Sequence, residues 1–533
     1  MRTARWIVVS LMALLVVAAC GSSGSGGSKS SHATSLTLAT TIDSIVTLDP
    51  NQSYENLEPD YWLYSTLVAF PGSDTSKVVP SVAKSWSMSS DGKDWTFNLK
   101  DGLKFSSGNS LTATDVVYSV QRVVSLPKNP AAWLMTQLGL TPDNVTQLVT
   151  APNAHTVKFA LPQPVAPNAF LSILAFPCLG IVDSKTVQAH VTNGDFGHAW
   201  LDDHSAGSGP YVLDQWNRAS TIIETVNQNY SLTSKPAMTR VVFQNVTESS
   251  AQFDLMQKGD ADLADGLTLQ QIDQVKGNSK YHVHSAPALQ LTYLGMDVKN
   301  VPAFANVQVR QAIKYAIDYK AIVNQLFEGR ALGTQGIFPK GMYAYESTQG
   351  YSQDVAKAKS LLAQGGYPNG FTFTLSISNS TVPGGVSAAD LASTVKSDLA
   401  KVGVVVNIQQ IEPAQLLTQY RAQSLQGVIE SWGADYPDPD DFAKPFADYS
   451  QKSLAWRLNW NDPSLANLVT QAGQMPNGSQ RAGLYSQINQ QMFQQSPFAI
   501  LYQPLTINVT SSSLHNVQIN PLFGLDFLTV TKS

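Results

Sequence analysis

Between residues 371 and 408 the hydrophobic period of the chain changes twice. Residues 371–377 alternate apolar and polar side chains, 388–401 repeat at helical spacing, and 402–408 alternate again. That order predicts a strand, a helix and a second strand. Such a unit needs a sheet covered by helices, which places the chain in the α/β class. The same two periods recur elsewhere. Strands are expected at 35–39, 155–161 and 241–243, and helices at 252–258 and 353–362. Trp95, Phe97 and Leu99 alternate with Thr96 and Asn98. Asp101-Gly102 then offers a turn, and Leu103 and Phe105 resume the alternation, which predicts a hairpin. Thr112 and Asp115 form a capping-box pattern ahead of a helix at 113–124. The strongest helical pattern spans 306–327, where Val309, Ala312, Ile313, Ala316, Ile317, Val323, Leu326 and Phe327 form one apolar stripe. Gly329 is expected to end it.

The first residues have a different purpose. Arg2 and Arg5 precede an apolar run at 6–19, and Val17-Ala18-Ala19 leads into Cys20. This looks like a bacterial lipoprotein signal peptide, with Cys20 as first mature residue and lipid attachment point. The run is too short to span a bilayer comfortably. Every residue at 21–31 except Lys29 is Gly or Ser, so 20–34 reads as a flexible tether. No later segment is apolar enough to cross a membrane. The expected location is the cell membrane, anchored by lipid and facing the extracellular or periplasmic side. ATP and nicotinamide cofactors are not at hand there, so capture of a solute becomes the leading kind of task.

The remainder exceeds one typical core, and two lobes are expected. Lobe I takes 35–290, with an extra subdomain at about 76–184. Lobe II takes 291–499, and 500–533 returns to lobe I. Two crossings between lobes would form a hinge. Cys178 has no partner for an internal disulfide once Cys20 is lipidated. The formal charge is −5 without a basic block, which argues against a nucleic-acid partner.

The most informative polar segment is Trp432-Gly433-Ala434-Asp435-Tyr436-Pro437-Asp438-Pro439-Asp440-Asp441. Its prolines oppose a helix, and a stiff loop could hold one carboxylate over a cleft for an ammonium group. A solvated acidic turn anchored by Trp432 is the competing reading. The acid spacing does not fit an EF-hand, and no metal site is expected. His198 and His204 flank Trp200 beside Asp202 and Asp203 as a weaker candidate cluster. His282 and His284 would share one face of a strand. Residues 205–216 resemble a phosphate loop only loosely, lacking the Lys-Ser or Lys-Thr pair. HExxH and GxSxG motifs are absent, so neither an enzyme nor a cofactor is expected.

Several segments, in order, resemble the family 5 extracellular solute-binding proteins of ABC importers, the oligopeptide- and dipeptide-binding group. They are Pro80-Ser81-Val82-Ala83 with Ser85-Trp86, DWTFNLKDGLKFSSGNSLTATDVVYSV at 94–120, GSGPY at 207–211, VQVRQAIKYAIDYKAIV at 307–323 and WGADYPDP at 432–439. The resemblance implies a two-lobed periplasmic-binding-protein-like fold, type II and similar to the large cluster C, with an extra subdomain in the first lobe. It implies a monomer that closes on a peptide and presents it to membrane permease subunits. Asp435 matches the acid that pairs with a peptide's α-amino group. Trp432 and Tyr436 would be apolar walls, with Gly433, Ala434 and Tyr211 nearby. Gly207, Tyr211 and the stretch 283–294 are candidate cleft or hinge-adjacent positions. Arg421, Arg457 and Arg330 are candidates for the peptide carboxylate. The alternatives are an oligosaccharide or metal complex in the same fold and, more remotely, an anchored hydrolase. Arg310 and Asp318 are read as packing residues.

Overall fold

In the computed structural model the described residues are 34–53, 58–347 and 350–533. The leader, Cys20 and the tether lie outside them. Sheet pairing shows how the chain makes two lobes. In the first, Ser35–Thr40 lies parallel to Arg240–Asn245 and Leu263–Ala264. Thr221–Val226 joins Arg240–Asn245 to the edge strand Tyr211–Asn217. In the second, Thr372–Ser378 lies parallel to Val405–Ile411 and Gly427–Gly433, and Gln290–Met296 runs antiparallel beside the latter. Helix Ala388–Ala400 makes the crossover anticipated between the first two of these strands.

One strand, Phe498–Ser511, belongs to both sheets. Its first part pairs with Gln290–Met296 and its second with Tyr281–Pro287. The two passages between lobes therefore run side by side, at Ala288-Leu289 and Gln503-Pro504. Gln503 is fully buried there. Its Oε1 accepts from Thr334 Oγ1 (3.0 Å) and the Lys340 amide (2.8 Å), and its Nε2 donates to the carbonyls of Ala288 (2.8 Å) and Lys340 (2.9 Å). Every hydrogen-bonding site of this amide is used.

A four-stranded antiparallel sheet forms the subdomain, in the order Ala83–Met88, Asp94–Leu99, Thr156–Ala160 and Val149–Asn153. Trp95, Phe97, Phe159 and Phe170 fill its core with helix Ala113–Ser125. Asp115 accepts from the Thr112 amide at 2.8 Å, as the capping pattern requires. The expected hairpin at Asp101-Gly102 does not form. Both edges of Asp94–Leu99 are taken by Ala83–Met88 and Thr156–Ala160. Leu103 and Phe105 are buried from a loop instead, with the Phe105 amide bonded to Asn109 O at 2.9 Å.

The long helix expected at 306–327 is also interrupted. It runs as Val307–Ala316, then Tyr319–Ala321, then a π-helical turn Ile322–Leu326. Asp318 causes the break. Its carboxylate accepts from the Ala321 amide (2.9 Å) as an N-cap, while its own amide donates to Asp398 Oδ2 (2.8 Å). Most of the apolar stripe stays buried because both pieces pack on the same core.

Two buried cations on Val307–Ala316 close the end of helix Ser479–Gln495. Arg310 donates to the carbonyls of Gln495 and Phe304, and Lys314 Nζ to Phe493 O at 2.8 Å. Cations at a helix C-terminus satisfy orphan carbonyls and oppose the helix dipole. Burial, then the neighbouring Arg310, pushes the Lys314 amine down to about 7. Between pH 7 and 10 the unfolded chain keeps this proton and the native one releases it, so rising pH favours folding. The wild type should gain stability on a Lys314→Met variant from pH 7 to 9, by at most about 1.4 kcal/mol per pH unit. Urea denaturation at each pH checks this, and a constant gap would refute it.

Candidate ligand site at the lobe seam

Strand Gly427–Gly433 delivers the WGADYPDP loop to the seam. Trp432 pairs with Leu291 and Gly433 with Gln290, and the Ala434 amide donates to Leu289 O at 2.7 Å. Asp435 thus leaves the sheet one residue beyond the point where the chain crosses between lobes. Pro437 and Pro439 stop the strand from continuing. Helix Asp440–Ala447 follows at once.

The four acids of this loop differ in what they meet. Asp438 forms a fully buried two-pronged pair with Arg481, with N–O distances of 2.6 and 2.8 Å. Arg481 also donates to Ala472 O (2.9 Å) and the Tyr485 hydroxyl (3.0 Å). Asp440 is bridged by Lys444 one turn later at 2.6 Å and accepts from the Tyr436 hydroxyl at 3.2 Å. Asp441 ties the loop together: its Oδ2 accepts the Asp435 amide at 2.8 Å and its carbonyl accepts Trp432 Nε1 at 3.0 Å. Burial, then the negative Asp435 beside it, pushes the Asp441 carboxyl well above the usual range. Asp435 is the half-buried member.

Across the seam stands the turn Pro177–Leu179 of the first lobe. Burial, then Asp435, pushes the Cys178 thiol up, so the two side chains share one electrostatic environment. Asn51 locks this turn by donating to the carbonyls of Cys178 (2.9 Å) and Gly180 (3.0 Å). Asn51 is in turn held by Arg122, whose guanidinium grips Asp49 at 2.6 and 2.8 Å. The lobes touch around the loop: the Ala166 amide donates to Gly473 O at 2.8 Å.

Trp432, Gly433 and Ala434 are half-buried and flank Asp435 on the same segment. Tyr436 is fully buried and packs into the cluster that holds Phe176, Cys178 and Leu179. Tyr211 is fully buried too, but in another first-lobe cluster, with its hydroxyl on Met238 O at 2.8 Å. Gly207 and Gly209 permit close approach to helix Glu58–Leu63, since a Cβ at either would lie within 2.0 to 2.3 Å of a backbone oxygen there. Among the basic candidates, Arg330 is engaged by Asp273 and Glu328. Arg457 lies over the Tyr420 ring at 5.3 Å, and its buried Nε has no hydrogen-bond partner among the described residues. Arg421 is exposed in the last turn of helix Pro413–Arg421.

The histidines are dispersed. His198 bonds Asp49 at 3.0 Å, His284 meets Thr510 at 2.9 Å, and His190 and His204 each stack on Trp200. Among the described residues no group of three or more His, Cys, Asp or Glu side chains is arranged to hold a metal ion. None of their helices is long and apolar enough to cross a membrane.

Known proteins share this architecture. A structure of the periplasmic binding protein DppA from Helicobacter pylori, in complex with peptide STSA, superimposes with a TM-score of 0.78 at 24% identity, covering 93% of this chain and 98% of that one. The fold is a type II periplasmic binding protein with two lobes. The probable D,D-dipeptide-binding periplasmic protein DdpA of Escherichia coli is 28% identical over 92% of each chain. Heme-binding protein A of Haemophilus influenzae is 27% identical over 82% of this chain and 80% of its own. The family model described as "Bacterial extracellular solute-binding proteins, family 5 Middle" matches residues 77–453, from the subdomain through the Asp435 loop. With seam, sheet order and sequence in agreement, the chain belongs to the family 5 bacterial extracellular solute-binding proteins.

Proposed function

We propose that this protein captures short peptides at the lobe seam and passes them to the permease of an ABC importer, with Asp435 receiving the peptide's ammonium group. The observation that carries this reading is the division of labour within the acidic loop. Asp438, Asp440 and Asp441 meet Arg481, Lys444 and the loop amides. They brace a half-buried Asp435 next to a second carboxyl, where a positive ligand end relieves the repulsion. Trp432, Gly433 and Ala434 form the near wall, and Tyr436 supports the loop from the buried side, while Tyr211 stands apart in another first-lobe cluster. The names of the dipeptide-binding relatives favour this cargo.

Calorimetry with a mixed di- and tripeptide library tests the assignment. Free peptides should bind more tightly than their N-acetylated forms by about 2 kcal/mol or more, roughly thirtyfold. Asp435→Asn should lose a similar amount while keeping the shape of the loop. Equal affinity for both peptide forms would remove Asp435 from the role. Tight binding of a neutral sugar or a metal complex, with Asp435→Asn silent, would support the second reading, which the heme-binding relative favours.

The same proposal has the mature protein acting as a monomer, anchored by lipid on Cys20. A Cys20→Ser variant should appear in the soluble extracellular or periplasmic fraction, and the wild type with the membrane. Equal partitioning of the two would count against the anchor.

A further inference from the structure

Away from the Asp435 loop, the first lobe has a partly open cavity of about 200 Å³. It lies where helix Glu58–Leu63, the subdomain and the C-terminal tail meet, and none of the described residues of the second lobe lines it. Tyr61, Trp62, Phe70 and Tyr230 give it aromatic walls. The Tyr61 and Trp62 rings are nearly perpendicular, 4.7 Å apart at 82°. Each is fixed from behind: Tyr61 stacks on Phe523 at 4.6 Å and Trp62 on Phe527 at 5.0 Å. The indole Nε1 of Trp62 is buried and has no hydrogen-bond partner among the described residues.

The wall of this cavity holds one acid, Asp526, and one base, Lys100, with further buried acids behind it. Asp526 contributes a carboxylate to the wall and is 8% exposed. Its Oδ1 accepts the Leu528 amide at 2.9 Å, and no ion pair reaches it among the described residues. Glu224 does not line the cavity; it is fully buried close to Glu58, its carboxyl oxygens have no hydrogen-bond partner among the described residues, and burial pushes the carboxyl well above the usual range. Glu58 is a further acid of the same neighbourhood, its Oε1 accepting the Leu525 amide at 2.9 Å. Lys100 is the one basic lining residue.

We propose that this cavity is a second binding site, for a small organic ammonium ion, separate from the seam at Asp435. Aromatic faces attract a cation through their quadrupoles, and more strongly where water is excluded. A carboxylate in the same wall adds direct charge pairing. A neutral solute gains neither, and an anion would meet Lys100 but no aromatic attraction, so the aromatic walls with Asp526 favour positive charge combined with an apolar surface.

The probe is choline, compared with its uncharged carbon isostere 3,3-dimethylbutan-1-ol, titrated calorimetrically into the full mature protein. Choline should bind at least about tenfold more tightly than the isostere. Asp526→Asn keeps an acceptor for the Leu528 amide but removes the charge, and should weaken choline by about tenfold or more. Tyr230→Leu should weaken it similarly, and Asp435→Asn should leave it unchanged. Circular dichroism shows whether each variant is folded, and the isostere comparison stands on the unaltered protein if one is not. Equal affinity for choline and the isostere, absence of choline binding at millimolar concentration, or loss on Asp435→Asn with retention on Asp526→Asn would each overturn the proposal.

Discussion

Arg481→Met should cost the protein about 3–5 kcal/mol of stability and weaken ligand binding at the same time. Asp438 and Arg481 are both buried, and the guanidinium grips the carboxylate with two hydrogen bonds. Removing the cation leaves a carboxylate, 1% exposed, without its charge partner. The double variant Asp438→Asn with Arg481→Met removes both charges and should recover much of the loss, because the penalty comes from the orphaned ion more than from the missing attraction. Ligand affinity separates the two roles of the pair. Asp438 lies in the turn that aims Asp435, and its Oδ1 also accepts the Asp440 amide at 3.0 Å. A variant that loses stability but binds as before would show that the pair supports the fold without aiming the loop.

Arg122→Met is expected to have a comparable effect in the first lobe, with a distinct pH signature. Burial alone would raise the Asp49 carboxyl, yet Arg122 and His198 hold it below the usual range. Without Arg122 the cation left beside Asp49 among the described residues is His198, at 3.0 Å. The hydrogen bond to Asp49 raises the pKa of His198 above its usual value, despite the opposing effect of burial. A histidine raised in this way contributes fully below its unfolded pKa, near 6.5, and loses that contribution as pH climbs through the folded value. The stability gap between wild type and Arg122→Met should therefore be about 3–5 kcal/mol at pH 8 and narrower at pH 6. His198 is partly exposed, so solvent screening limits the recovery to a fraction of that gap. Urea denaturation at the two pH values measures both, and a gap that widens in acid would contradict the assignment. The Pro177–Leu179 turn should loosen as well, because Arg122 holds Asn51 and Asn51 holds the turn.

Local patterns in the sequence carried the elements whose partners are near in the chain. The strand–helix–strand order at 371–408 is present as Thr372–Ser378, Ala388–Ala400 and Val405–Ile411. The last strand starts later than its apolar pattern because Gly403, at φ +84°, first turns the chain. Thr112 and Asp115 announced a helix because both parts of a capping box lie within one turn. What depended on distant contacts was not legible. The apolar stripe at 306–327 contains no sign that Asp398, eighty residues on, would bind the Asp318 amide and split the helix. Asp94–Leu99 shows strand periodicity, but nothing in it says that remote strands will claim both its edges. The acidic loop behaves likewise. Four aspartates within seven residues look alike in sequence, and only Arg481, forty-three positions later, singles out Asp438. Tyr211 and Tyr436 could be chosen as aromatic residues near glycine and proline, but their complete burial depended on the packing of whole lobes.

The amide of Gln503 has implications for mechanics. Phe498–Ser511 is unbroken as it leaves one sheet for the other, so the molecule has no slack linker there to play out. Rotation of one half against the other must be absorbed as torsion of two adjacent backbones near a side chain whose bonding capacity is already full. Such a joint would act like a torsion bar, opposing movement of the halves about any axis but its own.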